Sequence, residues 1–246
     1  MHLISAASCG TRQNRKGVTA PMTFGKQDEE IASVSDVTEV TTPERKPKRM
    51  APEDREEMIL QGAIHFFSKH GFRAQTRELS RELNVSQALI FRYFGSKTNL
   101  VERVYERSFI SRWKDEWSVI LCDRDRPLRD RLVQFYIGYL ENIDQYEWIR
   151  IVMFSGLEGN QLTKRYVETQ VERLLDIIAV ETHHDAVQAG SSAVLTRDEA
   201  HEQVWSLHST FIYFLIRKHV LKTRVLADQT RFTEIAVDTY MKGVLE

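Results

Sequence analysis

The segment TRELSRELNVSQALIFRYFGSK, Thr76–Lys97, decides the fold. It contains two short apolar-periodic runs parted by Asn84 and Val85. In the first, Thr76 is a cap residue and Leu79 and Leu83 share one face. Asn84 tolerates the left-handed backbone of a sharp turn, and Val85 plugs the corner. Ser86 caps the second run, where Ile90 and Phe94 lie four apart; Gly95 stops it and Ser96 caps the next helix. Helices this short are not stable alone. Each must be held from one side by neighbours, which leaves Gln87, Ala88 and Arg92 on a side that owes nothing to the core.

The neighbours follow on both flanks. Upstream, Pro52 suits a first helical turn, and Glu53, Asp54, Glu56 and Glu57 complement its positive end. Ile59, Ala63, Phe66 and Phe67 recur at helical spacing, and Gly71 ends that helix. Leu79, Leu83, Val85, Ile90 and Phe94 are therefore expected to pack on this first helix. Downstream, a fourth helix is expected through Leu100, Val104, Phe109 and Trp113 to about Trp117. CDRDRP (122–127) reads as a loop, with helices at Leu128–Gln145 and Glu147–Leu157 and a break near GLEGN (156–160). A long helix is expected over Gln161–Val187, then a loop at QAGSSAVL (188–195). Thr196 and Glu199 form a capping box opening a helix to about Lys222, and Asp228–Leu245 closes the chain. No strand-like alternation and no internal repeat occur. The fold class is all-α.

Composition agrees with a packed domain: 42% of the 246 residues are hydrophobic and 28% charged. The net charge of −1 names no partner, but its distribution is uneven. Residues 71–107 hold seven basic and four acidic residues, whereas 106–246 hold eighteen and twenty-two. Residues 1–49 are polar, without periodicity, and are expected to be disordered. They end in a basic arm, Arg45, Lys46, Lys48 and Arg49, read either as a minor-groove arm or as a solubilising tail; Met50 is a second candidate start. With only Cys9 and Cys122, no disulfide framework is expected. No run of about 18 apolar residues occurs, so no membrane span is expected and the cytoplasm is the expected location.

A helix clamped along Ile90 and Phe94, with small and hydrogen-bonding groups opposite, meets the requirements for entering a DNA major groove. Gln87 can pair with adenine, and Arg92 with guanine or a phosphate.

The stretches ILQGAIHFFSKHGF (59–72), TRELSRELNVSQALIFRYF (76–94) and SKTNL (96–100) resemble the TetR/AcrR family of bacterial transcription regulators. The resemblance covers about Ile59–Leu100, and the Ser-Lys after the Phe is among its more specific parts. It implies a three-helix helix-turn-helix domain at 50–100 and a larger helical effector-binding and dimerisation domain at 101–246. By position it implies that Thr76 and Arg77 contact phosphate or base. Ser86, Gln87, Ala88 and Leu89 open the recognition helix, Tyr93 meets the backbone, and Lys97 binds phosphate. Phe91 stands where the family often has Tyr and so offers no hydroxyl; Asn84 stands where Gly is usual.

The expected partners are a palindromic double-stranded operator, a second copy of the chain and a small-molecule effector. One recognition helix reads few base pairs, so paired half-sites require a dimer. Candidates for that interface lie in EQVWSLHSTFIYFLIRKHVL (202–221) and the final helix: Trp205, Ile212, Ile216, Phe232, Ile235 and Tyr240. Apolar residues around the whole circumference of the penultimate helix imply burial on both sides. Phe109, Trp113, Trp117, Phe135, Tyr139, Trp148, Met153, Phe154 and His208 are candidate linings of an effector pocket, suiting an apolar or aromatic ligand that favours a conformation unable to span the half-sites.

Two other readings compete. A metal-dependent enzyme would need a ligand constellation, but His183, His184 and Asp185 are adjacent and point apart, and His201 and His208 lie two turns from each other. No HExxH, P-loop or GxSxG occurs, so no catalytic residue, metal or cofactor is expected. A helical interaction protein without sequence preference is separated from a regulator by DNA binding itself.

Overall fold

A computed structural model describes residues 50–190 and 195–245. The tail of residues 1–49, with its basic arm and Cys9, lies outside the described residues, as do residues 191–194 of the 188–195 loop. Among the described residues every regular element is helical. No helix among them is long and apolar enough to cross a membrane.

Helix α1 (Pro52–His70) begins at its proline and ends at Gly71, whose φ is 76° and whose N–H bonds to the Phe67 carbonyl. It buries Ile59, Ala63, Phe66 and Phe67, as its spacing requires. α2 (Thr76–Glu82) and α3 (Gln87–Phe94) follow, joined by a turn in which Asn84 takes φ 51°. The cap of α2 is displaced by one residue from its expected place. Gln75 occupies it, its N–H donating to the Glu78 carboxylate at 3.1 Å, and Thr76 is already helical and buried. Ser86 Oγ accepts from the Leu89 amide and Ser96 Oγ from the Asn99 amide, both at 3.1 Å, capping α3 and α4 (Lys97–Ser108). Leu79, Ile90 and Phe94 are buried and fix the pair to α1. The seat is tight at Gly62, where a Cβ would come within 2.3 Å of Leu83 Cδ2.

The fourth helix is shorter than expected. It stops at Ser108, passes through a 3-10 turn at Ile110–Arg112, and resumes as α5 (Glu116–Cys122). A straight helix would string Phe109, Trp113 and Trp117 along one stripe. The break folds Trp113 back on Trp117, rings edge-on at 5.2 Å, and sends Trp117 into the core. Cys122 is a free, exposed thiol.

α6 (Leu128–Ile143) and α7 (Tyr146–Leu157) follow the sequence pattern. The long helix expected over 161–187 is α8 (Gln161–Tyr166), a π turn at Val167–Val171 and α9 (Glu172–Gln188). α10 (Arg197–Leu215) opens on the Thr196–Glu199 capping box and ends in a second π turn, Ile216–Val220; α11 (Gln229–Leu245) packs against α6 and α10. Asp144, at the α6–α7 corner, ties these ends together. Its carboxylate accepts from Lys218 and Gln229 and meets His219 Nε2 at 2.6 Å. Burial pushes this carboxyl up, but the three partners outweigh it and hold it below the ordinary range.

A clamp joins α7 to the corner after α1. Glu158 accepts from the amides of Phe72 at 2.7 Å and Arg73 at 3.0 Å, while Arg150 Nε donates to the Ser68 carbonyl at 2.5 Å. The left-handed Gly71 makes room: a Cβ there would sit 2.1 Å from Glu158 Oε1. Hydrogen bonds to a charged group contribute about 1.5–3 kcal/mol. Glu158→Ala is therefore expected to lower unfolding stability in urea by roughly 2 kcal/mol, against under about 0.5 kcal/mol for the exposed Glu168→Ala. Equal effects would remove the clamp from the energetics of the fold.

Candidate nucleic-acid interface

The clamped side of α3 is Ile90 and Phe94, 0% and 5% exposed. Residues two positions away on a helix point about 200° around it. Ala88 and Arg92 are accordingly exposed on the opposite side. α3 is thus held from behind, and its free face is narrow, because alanine ends at Cβ. Leu89 and Tyr93 flank this face, half-buried and packed on the core.

The remaining candidates sort by what already holds them. Ser86 is exposed, with Oγ accepting the Leu89 amide. Gln87 is half-buried, and its Nε2 donates to Thr76 Oγ1 at 2.8 Å. Thr76 itself is only 7% exposed. The expectation that Thr76 faces a duplex is corrected: it stands behind Gln87 and braces it, because the cap moved to Gln75. Arg77 is exposed on the first turn of α2. Lys97 donates to the Ala74 carbonyl at 2.7 Å, so its ammonium is fixed beside the α1–α2 corner with donors to spare. Arg77, Arg92 and Lys97 enter no ion pair among the described residues, so their charges are available to an outside anion.

Most of the aromatic candidates of the second half come together as a chain of rings. Phe109 meets Trp148 at 5.8 Å, Trp117 meets Tyr139 at 5.4 Å, Phe135 meets Tyr139 at 5.6 Å, and Tyr139 meets His208 at 5.3 Å. Trp113 joins through Trp117. Tyr136, Tyr166 and Phe211 extend the chain. Tyr136 lies three positions before Tyr139 on α6, so the same helical spacing marks it. Phe154 is a correction: it lies under the Arg150 guanidinium, 5.2 Å from ring centre to Cζ, and belongs to the clamp. Met153 is half-buried and enters none of these ring contacts. The hydroxyls of Tyr136 and Tyr139 and Nδ1 of His208 are buried without a hydrogen-bond partner. Burial pushes His208 down to about 4, so it is neutral at pH 7.

The α10–α11 face differs from the expected all-round apolar surface. Leu207, Phe211, Phe214 and Leu215 are consumed inside the protomer. Trp205, Ile212, Ile216 and Phe232 are half-buried, while Tyr213 (57%) and Ile235 (46%) stand out. Tyr240 is corrected to a core residue: it is 9% exposed, and its hydroxyl pairs with Thr182 at 2.9 Å. Two grooves of about 320 and 500 Å³ run along this face, sharing Ser206, Thr210 and Phe232. Among the described residues no group of three His, Cys, Asp or Glu side chains could hold a metal; His201 Nε2 lies 3.9 Å from Asp176 and His184 Nδ1 3.7 Å from Asp185.

Sequence reasoning missed the clamp residues Arg150 and Glu158 and the groups around them. Their partners lie more than 80 positions away, and no spacing rule connects them.

Comparison with known proteins places this geometry. Residues 59–104 match the family model of bacterial regulatory proteins, tetR family. The HTH-type transcriptional regulator YvkB of Bacillus subtilis is 26% identical over 193 residues, spanning 76% of this chain and 95% of that protein. The nucleoid occlusion factor SlmA of Haemophilus influenzae is 35% identical over 82 residues, 32% of this chain and 38% of that protein. Among solved structures, a TetR-like transcriptional regulator from Rhodococcus sp. RHA1 aligns with a TM-score of 0.57 at 17% identity, covering 79% of this chain and all of that one. Mycobacterium smegmatis AmtR aligns at 0.56 and 16%, covering 82% and 89%. At such identities these structures speak for the fold: a helix-turn-helix followed by a helical body.

Proposed function

The chain belongs to the tetR family of bacterial regulatory proteins, and from that premise we propose that it is a dimeric, cytoplasmic repressor released from a palindromic operator by a small apolar or aromatic effector. The observation that carries the DNA-reading part is the free face of α3, Ala88 and Arg92 opposite the buried Ile90 and Phe94. In this reading residues 50–100 bind DNA and residues 101–246 bind the effector and the second subunit. Gln87 and Arg92 read base edges, with Ala88 and Leu89 shaping the approach. Arg77, Ser86, Tyr93 and Lys97 hold phosphates and set the register, and Thr76 supports Gln87. Tyr213, Phe232 and Ile235 supply the apolar part of the dimer face, with half-sites about one helical turn apart or a multiple of it. The ring chain from Phe109 to His208 is the effector region. A ligand bound there must prefer a conformation with mismatched recognition helices, and its differential affinity sets how far the equilibrium moves. No catalytic step is needed.

Selection from randomised duplexes at physiological salt tests the reading. The wild-type chain is expected to enrich a palindrome. Gln87→Ala is expected to relax preference at one position per half-site, by about 1–3 kcal/mol of discrimination, while its binding to bulk duplex stays close to wild type. A wild-type pool with no enriched sequence would leave a helical interaction protein in place of a regulator. An unchanged preference in Gln87→Ala would move base reading to other side chains.

A further inference from the structure

We infer that the cleft between α1, α4 and the first turn of α7 is a binding site for a small anion, a carboxylate or a phosphate, separate from the aromatic interior. The cleft has a volume of about 240 Å³. That is below the roughly 300–1,000 Å³ of pockets for drug-sized ligands, so its occupant is compact. Three features point to an anion.

Arg112 lines the cleft and is half-buried. It donates to the Asn142 carbonyl at 3.2 Å but has no carboxylate partner within ion-pair distance among the described residues. Burial pushes this guanidinium down, the Glu147 carboxylate pulls it back up in part, and nearby Arg107 adds to the lowering. Ser108 also lines the cleft; it is 4% exposed, and its hydroxyl meets no hydrogen-bond partner. A buried hydroxyl left unpaired costs about 1–3 kcal/mol, which a ligand oxygen would relieve. Gln145, Glu147 and Trp148 place the first turn of α7 on the cleft wall, and the N-cap Gln145 makes no side-chain cap bond. Free amides at a helix start favour an anion. The one lining carboxylate, Glu147, meets His65 Nδ1 at 3.1 Å and is the charge in the cleft that opposes an anion. Arg107, although paired with Glu57, adds a second guanidinium to the rim.

The site bridges α1, which supports α3, to the helix whose far end clamps α1. Its occupancy is thereby placed to stiffen the joint between the DNA-reading helices and the body. That consequence rests on the DNA-binding reading above; anion binding itself does not.

Calorimetric titration of the full chain with inorganic phosphate and, separately, with acetate at constant ionic strength tests the site without DNA. One anion per chain is expected to bind saturably, and the preferred one identifies the ligand chemistry. Arg112→Gln is expected to weaken it about tenfold or more, the loss of one charge-assisted bond. Ser108→Ala, which deletes a hydroxyl without a partner, is expected to weaken it severalfold while the melting temperature holds or rises. Absence of saturable binding by both anions overturns the inference, as does binding that neither substitution alters.

Discussion

Alanine at Arg77, Arg92 and Lys97 together is expected to reduce the affinity of the chain for every duplex by about a hundredfold or more at physiological salt. Each position presents a cation that no carboxylate in the described structure neutralises. A charged hydrogen bond contributes about 1.5–3 kcal/mol, and a dimer would lose each one twice. The phosphate term has its own signature. The slope of log K against log salt should become shallower by about 0.9 for each phosphate contact removed. Two of the three side chains are exposed and only Lys97 holds a protein atom, the Ala74 carbonyl, so circular dichroism and melting should change little. Lys97→Ala alone should weaken all sequences alike, in contrast to Gln87→Ala. A triple variant with wild-type affinity and salt slope would displace the DNA-binding face from α2–α4.

Glu181→Leu is expected to be the most destabilising single substitution of a charged residue in the body, at about 3–5 kcal/mol. Glu181, in α9 with its side chain 6% exposed, accepts from Arg131 Nη1 at 2.8 Å and from Arg124 Nη2 at 2.8 Å. Arg131 is 1% exposed and its other supports are few: the Leu121 carbonyl, and Asp185 at 3.6 Å. Without Glu181 its guanidinium stays buried and poorly compensated, which is the expensive case. Arg124 is half exposed and contributes less. The pH dependence has a definite sign. Hydrogen bonds from Arg124, then Arg131, hold the Glu181 carboxyl below its ordinary 4.5. A depressed carboxyl stabilises the fold above its unfolded value and loses that contribution as pH falls through the folded one. Wild type should therefore lose stability below about pH 4.5 more steeply than Glu181→Leu. Parallel acid limbs, or a loss under about 1 kcal/mol at pH 7, would show that the network is not held as described.

The two predictions differ in how far the sequence alone supports them. Ser86, Ile90, Phe94, Gly95 and Ser96 carry their instructions locally, and caps and spacing are properties of residues within a turn of each other. From these alone α3 has a buried side and a free one, and the structure keeps Ala88 and Arg92 on the free side. For Arg131 the local spacing goes only part of the way. Leu128 and Phe135, three before and four after it, put it on the buried face of α6, but nothing within a turn names the carboxylate it meets there.

The amino-acid sequence by itself determined the all-α class, most helix boundaries and the face that α3 turns away from its support. The tertiary structure alone decided the break after Ser108, the shift of the α2 cap to Gln75, the inward turn of Tyr240 and the Glu158 seat against Gly71. The reason is range. Helical period and capping act over three or four residues, so they fix which side of a helix is apolar but not what meets it. Pairings such as Glu158 with Phe72 or Arg131 with Glu181 depend on where every intervening helix ends, and they exist only once the whole chain has packed.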